Sequence, residues 1–396
     1  KITIFINIIF IYIRSNNMLK FSVKKEDFLN PLSNIQTIVD KKTTMAIINN
    51  VFIHTDENHL FIEATDLEIS YKSEIPCSVI EQGSITINAR KFYEIVKEFP
   101  SEKIFFEEYK NTWMKIGADE KAEYKIGGLP PDDFPRFRHV SSENAIDLEA
   151  SIIKEMIEKT IFSASYDDRK YSLSGIYFEE GHDEEGKSQI RMVSSDGHRL
   201  SLMEKYIPEK GLGLKQGVII PRKGAQEIRK IIEGHERMIW GIDNNFCFVT
   251  CGNDHLVIRL VDGKFPDYYD IIPKSKDRYL TFDRLEVFNA LKRISILSSD
   301  TTFRGVKASV TPQLIEIESL YKEIGEAKEI IDIDYHGEPF EIAFNAKYFI
   351  DALFVMDSDR VELTVNDPES PCLLRGDEDI GFLGLIMPMN LVEEKK

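Results

Sequence analysis

Ser194, Asp196 and His198 alternate along one short stretch, SSDGHRL, and are the residue types of a nucleophile, an orienter and a base. On a strand, alternation would put all three on one face. A working triad needs the base in hydrogen-bond contact with the nucleophile and an orienter behind it, which alternate positions of one strand seldom give. The stretch therefore reads as a structural turn or a groove wall, with a hydrolase as the competing reading. Cys247 and Cys251 stand four apart in NNFCFVTCGN. Without a second ligand pair, a lone C-x3-C reads as reduced thiols in a strand rather than a zinc site. The chain has no G-x-x-x-x-G-K-[ST], and GLGLKQG (Gly211 to Gly217) does not fit G-x-G-x-x-G and reads as a loop. Its eight histidines show no H-E-x-x-H, and its carboxylates form no obvious metal cluster. The expectation is a protein with no catalytic site, no metal and no cofactor.

Basic residues recur in a more informative way. Arg90-Lys91 and Arg222-Lys223 open predicted helices, and Lys347 holds a similar place further on. A cation at a helix N-terminus opposes the helix dipole by about 0.3–1 kcal/mol, so recurrence there suggests a local demand for positive charge. Phosphate is the natural partner, because helix N-termini already favour anions. Lys24, Lys25, Lys41, Lys42, Arg169, Lys170, Arg284, Lys292 and Arg293 add to the same set. The functional reading is a diffuse, sequence-blind phosphate surface. The plain alternative is a set of solvated helix faces.

The elements that would hold these residues repeat three times. VKKEDFLNPLSNIQTIV, EASIIKEMIEKTIFSAS and FDRLEVFNALKRISILSS each carry one apolar helical face, and each precedes a strand-like run. ITINARKFYEIVKEF, VIIPRKGAQEIRKII and IAFNAKYFIDALFVM share a strand-then-helix form, with positions 90, 222 and 346 corresponding. TDLEISYKSEIP and SDGHRLSLMEKYIP both open on an aspartate, and Leu67, Ile69, Tyr71 and Ile75 are expected on one face of the first. Phe134-Pro135 matches Phe265-Pro266. The fold class is α+β: three tandem units of two helices and short antiparallel strands. Boundaries fall near 139–147 and 273–280, giving domains over 18–140, 145–272 and 277–396.

The composition agrees. At 396 residues the chain is too long for one core, and 42% apolar with 30% charged residues excludes disorder. Its net charge of −17 leaves basic residues effective only where they converge, with an acidic exterior elsewhere. Four cysteines without a disulfide pattern suit a reducing cytoplasm. Residues 1–17, KITIFINIIFIYIRSNN, hold an apolar run too short to span a bilayer, with no small-residue cleavage site after it. They read as an upstream extension outside the fold, with a membrane anchor as the alternative.

In order and spacing, ARKF (89–92), SDGHRL (195–200), IPRKG (220–224), LVDGKFPDY (260–268), FRGV (303–306), FN-x-x-Y (344–348) and MPMNL (387–391) resemble the bacterial DNA polymerase III beta subunit family, the sliding clamps. The likeness spans residues 18 to 391. It implies three clamp domains per chain and a head-to-tail homodimer ring, with helices inside and sheets outside. The ring would encircle duplex DNA and tether the replicative DNA polymerase, conferring processivity. Lys42, Arg90, Lys91, Lys170, Tyr171, Arg222 and Lys223 would face the DNA.

The resemblance also implies a groove for short, partly apolar peptides of the polymerase catalytic subunit, the clamp loader and repair polymerases. Its wall would comprise Tyr171, Leu173, Ser195, Gly197, His198, Arg199, Leu200, Pro266, Ile271, Phe303, Asn345, Tyr348, Leu385, Ile386, Met387, Pro388, Met389 and Leu391. Methionines and leucines make an adaptable apolar slot. Tyr124 and Ile126 would meet Ile296 and Leu297 of a second copy, with Lys115, Lys121 and Lys125 facing Glu323, Glu326 and Glu329. The chain departs from the family pattern in continuing as VEEKK, in Asn390 where arginine is common, and in a longer approach to FRGV. These differences bear on local groove geometry. A monomeric DNA-repair scaffold is the remaining competitor.

Overall fold

The structure is a computed structural model describing residues 18–39, 45–110, 112–118, 122–143, 145–183, 185–207, 211–276, 278–298, 305–320 and 325–389. The expected extension, 1–17, and the VEEKK tail lie outside these residues. Each expected repeat contributes two described helices: α1 (Lys25–Ile38) and α2 (Ala89–Glu98), α3 (Ala150–Glu158) and α4 (Arg222–Ile231), α5 (Arg284–Ser295) and α6 (Ala346–Val355). Local chemistry explains where several begin. Asn88, Asp283 and Asn345 cap α2, α5 and α6 by accepting from the N–H groups of Lys91, Glu286 and Lys347. Lys24, at the N-cap of α1, gives no side-chain cap, and Glu26 and Asp27 in the first turn answer the helix dipole instead.

Contacts divide the chain into two compact units, each drawing on two of the repeats. The first unit runs to Ala150 and takes in Gln226–Arg259. Its sheet has thirteen strands, and the join between repeats is the antiparallel pairing of Ile69–Pro76 with Asp254–Arg259, with Leu256 opposite Tyr71. Phe21, Phe28, Phe92 and Phe106 pack ring against ring, so both helices of the first repeat rest on the sheet through aromatic contacts. At the join, the Tyr71 hydroxyl donates to Asp254 Oδ1 at 2.7 Å, and Asn34 Nδ2 reaches Asp254 Oδ2 at 3.4 Å. All three side chains are buried.

The second unit comprises Ser151–Ala225 and the chain from Leu260. It holds an eight-stranded and a four-stranded sheet. Here the repeats join through Arg199–Tyr206 and Phe382–Ile386, with Leu200 opposite Leu385. One apolar cluster underlies this join and includes Leu200, Leu202, Phe265, Tyr268, Leu383 and Leu385. A buried ion pair reinforces it. Lys159 Nζ lies 2.5 Å from Asp379 Oδ1 and 2.8 Å from Asp357 Oδ2, and Ser358 Oγ donates to Asp379 Oδ2 at 2.6 Å. Lys159 and Asp379 are 3% and 2% exposed, so neither charge has water as a substitute partner.

One strand expectation changes. Leu67 is not on the buried face with Ile69, Tyr71 and Ile75: it is 52% exposed in a turn with φ +79°. Asp196 and His198 lie in the turn between Ser188–Ser195 and Arg199–Tyr206, in line with the turn reading of SSDGHRL. In both places short polar side chains bond the local backbone and turn the chain before the apolar alternation begins.

Candidate functional site

The SDGHR turn is built by its own side chains. Asp196 Oδ1 accepts from the N–H groups of His198 (2.9 Å) and Arg199 (3.1 Å). Ser195 Oγ donates to Arg199 O (2.8 Å) and accepts from Gly197 N (3.1 Å). Gly197 sits at φ +92°, where a side chain would be strained. Ser194 is fully buried with its Oγ 3.5 Å from Gly175 O, and Asp196 is engaged by this turn and by Arg199 Nε. The three residues do not form a nucleophile–base–orienter chain. Cys247 and Cys251 are buried in strand Phe246–Cys251, and burial pushes the Cys251 thiol up to about 11. Among the described residues no cluster suits a metal ion.

Arg199 organises what surrounds the turn. It is 6% exposed and donates to Asp196, to Asp351 Oδ2 (2.7 Å) and to Phe162 O (2.7 Å). Its guanidinium also lies 4.7 Å from the centre of the Tyr348 ring, which stacks beside His198 with planes 14° apart. Burial, then the nearby Asp196 carboxylate, raises the Tyr348 hydroxyl above its ordinary range. Met387 N donates to His198 O (2.8 Å), and Met389 N to Ala343 O (2.7 Å). These bonds bring the MPM strand end beside the turn. Leu200, Leu385 and Ile386 are buried, Leu173 packs against the Leu200–Leu385 cluster, and Tyr171, Ile271 and Met387 are exposed. Pro266 is exposed and Pro388 half-buried. Asn345 is half-buried, and its Oδ1 caps α6 through Lys347 N. Phe303, Asn390 and Leu391 lie outside the described residues. Asp351 was not legible as a site residue, since it stands 152 positions from Arg199.

The basic residues separate into two kinds. Arg90 and Lys91 are well exposed, and both reach Glu94 one turn on, at 3.3 and 2.9 Å. Lys170 is exposed and donates to Asp196 O at 3.0 Å. Arg222 instead turns toward the protein: Nη1 donates to Ala164 O (2.9 Å), Nη2 to the Tyr166 hydroxyl, and the guanidinium stacks 3.5 Å from the Tyr166 ring centre. Lys223 is half-buried, and Lys42 lies outside the described residues.

Three stretches match, in order, the N-terminal, central and C-terminal domains of the DNA polymerase III beta subunit, at residues 19–138, 147–267 and 269–390. The beta sliding clamp of Pseudomonas putida is 31% identical over 375 residues, covering 94% of this chain and all of the relative. The chain belongs to the bacterial DNA polymerase III beta subunit family. A crystal structure of the Caulobacter crescentus beta sliding clamp superposes with a TM-score of 0.88 at 30% identity, over 94% of this chain and 99% of that one. A Bartonella birtlesii sliding clamp bound to griselimycin gives 0.89 at 28%, over 94% and 100%. The chain is thus a sliding-clamp subunit of a DNA polymerase, and processivity of DNA synthesis is the function that follows.

For a clamp subunit the open strand edges matter. Within Ala122–Leu129, only residues 128 and 129 pair with Ser84–Asn88, while the strand pairs with Trp113–Ala118 on its other side. Lys328–Asp332 ends the four-stranded sheet. Tyr124 is exposed on the first and Ile330 on the second, Ile126 and Leu297 are half-buried, and Ile296 is 70% exposed. The charges expected to cross between copies are paired at home. Lys115 and Lys125 both hold Glu123, pulling its carboxyl down to about 2, and Arg293 holds Glu329. Glu326 is described and exposed, whereas Lys121 and Glu323 lie outside the described residues.

Proposed function

We propose that two copies close head to tail into a ring around duplex DNA, and that peptides of the polymerase, the clamp loader and repair polymerases dock beside the SDGHR turn. The observation that carries the docking reading is the junction of the turn with the MPM strand end. There a buried Leu200–Leu385 floor meets exposed His198 and Met387. An apolar slot rimmed by a few fixed polar groups suits short, partly apolar peptides. Tyr171, Leu173, Ser195, Gly197, His198, Arg199, Pro266, Ile271, Asn345, Tyr348, Ile386, Pro388 and Met389 complete the wall, together with Phe303 and Leu391.

Ring closure is supported by the edges of Ala122–Leu129 and Lys328–Asp332 left open among the described residues, since open strand edges are natural templates for pairing with another chain. Tyr124 and Ile126 on one side and Ile296 and Leu297 on the other supply apolar contact, while surface charges contribute little. Duplex contact is loose and phosphate-based, through Lys42, Arg90, Lys91, Lys170, Tyr171, Arg222 and Lys223. Grip comes from enclosure, and the chain takes part in replication in the cytoplasm without catalysing a step itself. Among the described residues no helix is long and apolar enough to cross a membrane.

Native mass spectrometry is expected to find a two-chain particle; a monomer at micromolar concentration would refute the ring. Met389→Ala combined with Leu391→Ala is expected to weaken a labelled polymerase peptide about tenfold or more, the loss of apolar contact setting the scale. Undiminished affinity would place the slot elsewhere.

A further inference from the structure

The segment Phe265–Ile271 contributes Pro266 and Ile271 to the proposed peptide slot, yet it contains no strand. Among the described residues its backbone bonds are local, Tyr268 O accepting from Ile271 N and Tyr269 O from Ile272 N. Something else must hold it. Phe265 and Tyr268 insert their rings into the Leu200–Leu385 cluster, which fixes depth but not orientation.

Orientation comes from the polar side. Three neighbouring strands each present one charged residue in register, Glu179 opposite Arg191 and Arg191 opposite Glu204. Arg191 Nε donates to Glu204 Oε2 at 2.7 Å, and its Nη1 donates to the Tyr269 hydroxyl at 2.6 Å. That hydroxyl donates onward to Glu179 Oε1 at 2.6 Å, and the Tyr268 hydroxyl donates to the same oxygen at 2.5 Å. The two tyrosine rings stack with centroids 4.3 Å apart. The Glu179 and Arg191 side chains are 17% and 20% exposed, so these charge-assisted bonds are sheltered from water. Burial and the Glu179 carboxylate push the Tyr268 phenol far up, which keeps it a donor at any ordinary pH.

We propose that Glu179 and Arg191 are positioning residues for peptide recognition: through Tyr268 and Tyr269 they clamp the 265–271 segment in the conformation the slot needs. This rests on the peptide-slot reading. A segment held before the ligand arrives loses less freedom on binding, so the clamp raises affinity without touching the peptide. Glu179 acts as an acceptor, so an amide oxygen in its place should retain most of the effect.

The test is fluorescence anisotropy of a labelled polymerase peptide on the full-length dimer, with hydrogen exchange followed across 262–272. Glu179→Ala is expected to weaken binding about tenfold, Tyr269→Phe about threefold, and Glu179→Gln less than about twofold, from the hydrogen bonds each removes. Exchange should quicken in 262–272 for the first two variants and not elsewhere, with retention on circular DNA unchanged. Tyr269 is half-exposed, so its phenylalanine variant tests the clamp even if Glu179→Ala misfolds. Unchanged affinity in Tyr269→Phe and Glu179→Ala, or weaker binding without faster local exchange, would overturn the clamp while leaving the slot in place. Failure of the wild-type dimer to bind the peptide would overturn the slot and the clamp together.

Discussion

The turn at Thr65–Ile69 in the first unit and the turn at Ser195–Arg199 in the second are the same device with different cargo. In the first, Thr65 Oγ1 donates to Ile69 O and accepts from Leu67 N, and Asp66 Oδ1 accepts from Glu68 N and Ile69 N. In the second, Ser195 and Asp196 make the same bonds to Arg199, Gly197 and His198. The carbonyl of Glu68 accepts from Arg259 N, and that of His198 from Met387 N. The last turn position, however, is buried Ile69 in one and Arg199 in the other, and Arg199 carries Asp351 and the Tyr348 ring with it. The backbone repeat makes a junction in both places, and the side chains on one copy of it line the slot proposed for peptides.

The largest expected contrast is between the buried polar groups behind each join. Lys159→Met leaves Asp379 buried without its cation and should cost about 3–5 kcal/mol. Asn34→Ala leaves the Tyr71–Asp254 bond in place and should cost about 1 kcal/mol. Urea midpoints measure both, and similar losses would erase the asymmetry. Arg199→Ile, which copies the first turn onto the second, should cost roughly 2–4 kcal/mol, because Asp351 keeps only Lys347, and it should weaken peptide binding at least about tenfold. Full peptide affinity in this variant would separate the arginine from recognition.

A swap of turn residues sharpens the comparison further. Leu67→Gly relieves a left-handed backbone and should stabilise by up to about 1 kcal/mol, whereas Gly197→Ala imposes one and should destabilise by about 1 kcal/mol. Thermal melts giving both the same sign would show that the turns differ in strain.

At neutral pH the smallest difference is electrostatic, and it opens at opposite ends of the scale. In the second unit burial raises the Asp379 carboxyl, but Lys159, Ser358 and backbone donors outweigh it and leave it lowered. Its contribution is therefore complete above the ordinary carboxylate range and lost as pH falls through the lowered value. In the first unit burial, then Asp254, raises Tyr71. That contribution is complete below the ordinary phenol range and lost as pH climbs through the raised value. Hydrogen exchange should accordingly loosen the second join in acid and the first in alkali; the reverse order would contradict the assignment.

Much of this was legible in the sequence because repetition reveals itself locally. Helical faces, the strand-then-helix form and the paired aspartates all recur at corresponding places, and SDGHRL with MPMNL marked the junction proposed to dock peptides. What was missed involves partners far apart in the chain. Lys159 and Asp379 are separated by 220 positions, and Tyr268 meets Glu179 across 89. No local pattern reports such pairs. Alternation of Leu67 with Ile69 mimics a buried strand face, and the short Thr65 and Asp66 side chains override that pattern by bonding the backbone. The stacking of Arg222 on Tyr166 was not legible either, since Tyr166 is an ordinary aromatic in sequence.

The most direct test of the ring is retention of the purified protein on closed circular duplex, repeated after a single cut linearises the DNA. Enclosure predicts that protein loaded on the circle stays bound at high salt and is lost through the free ends once the circle is opened. Equal retention on both forms would mean that adhesion, not topology, holds the protein to DNA, and would contradict the account.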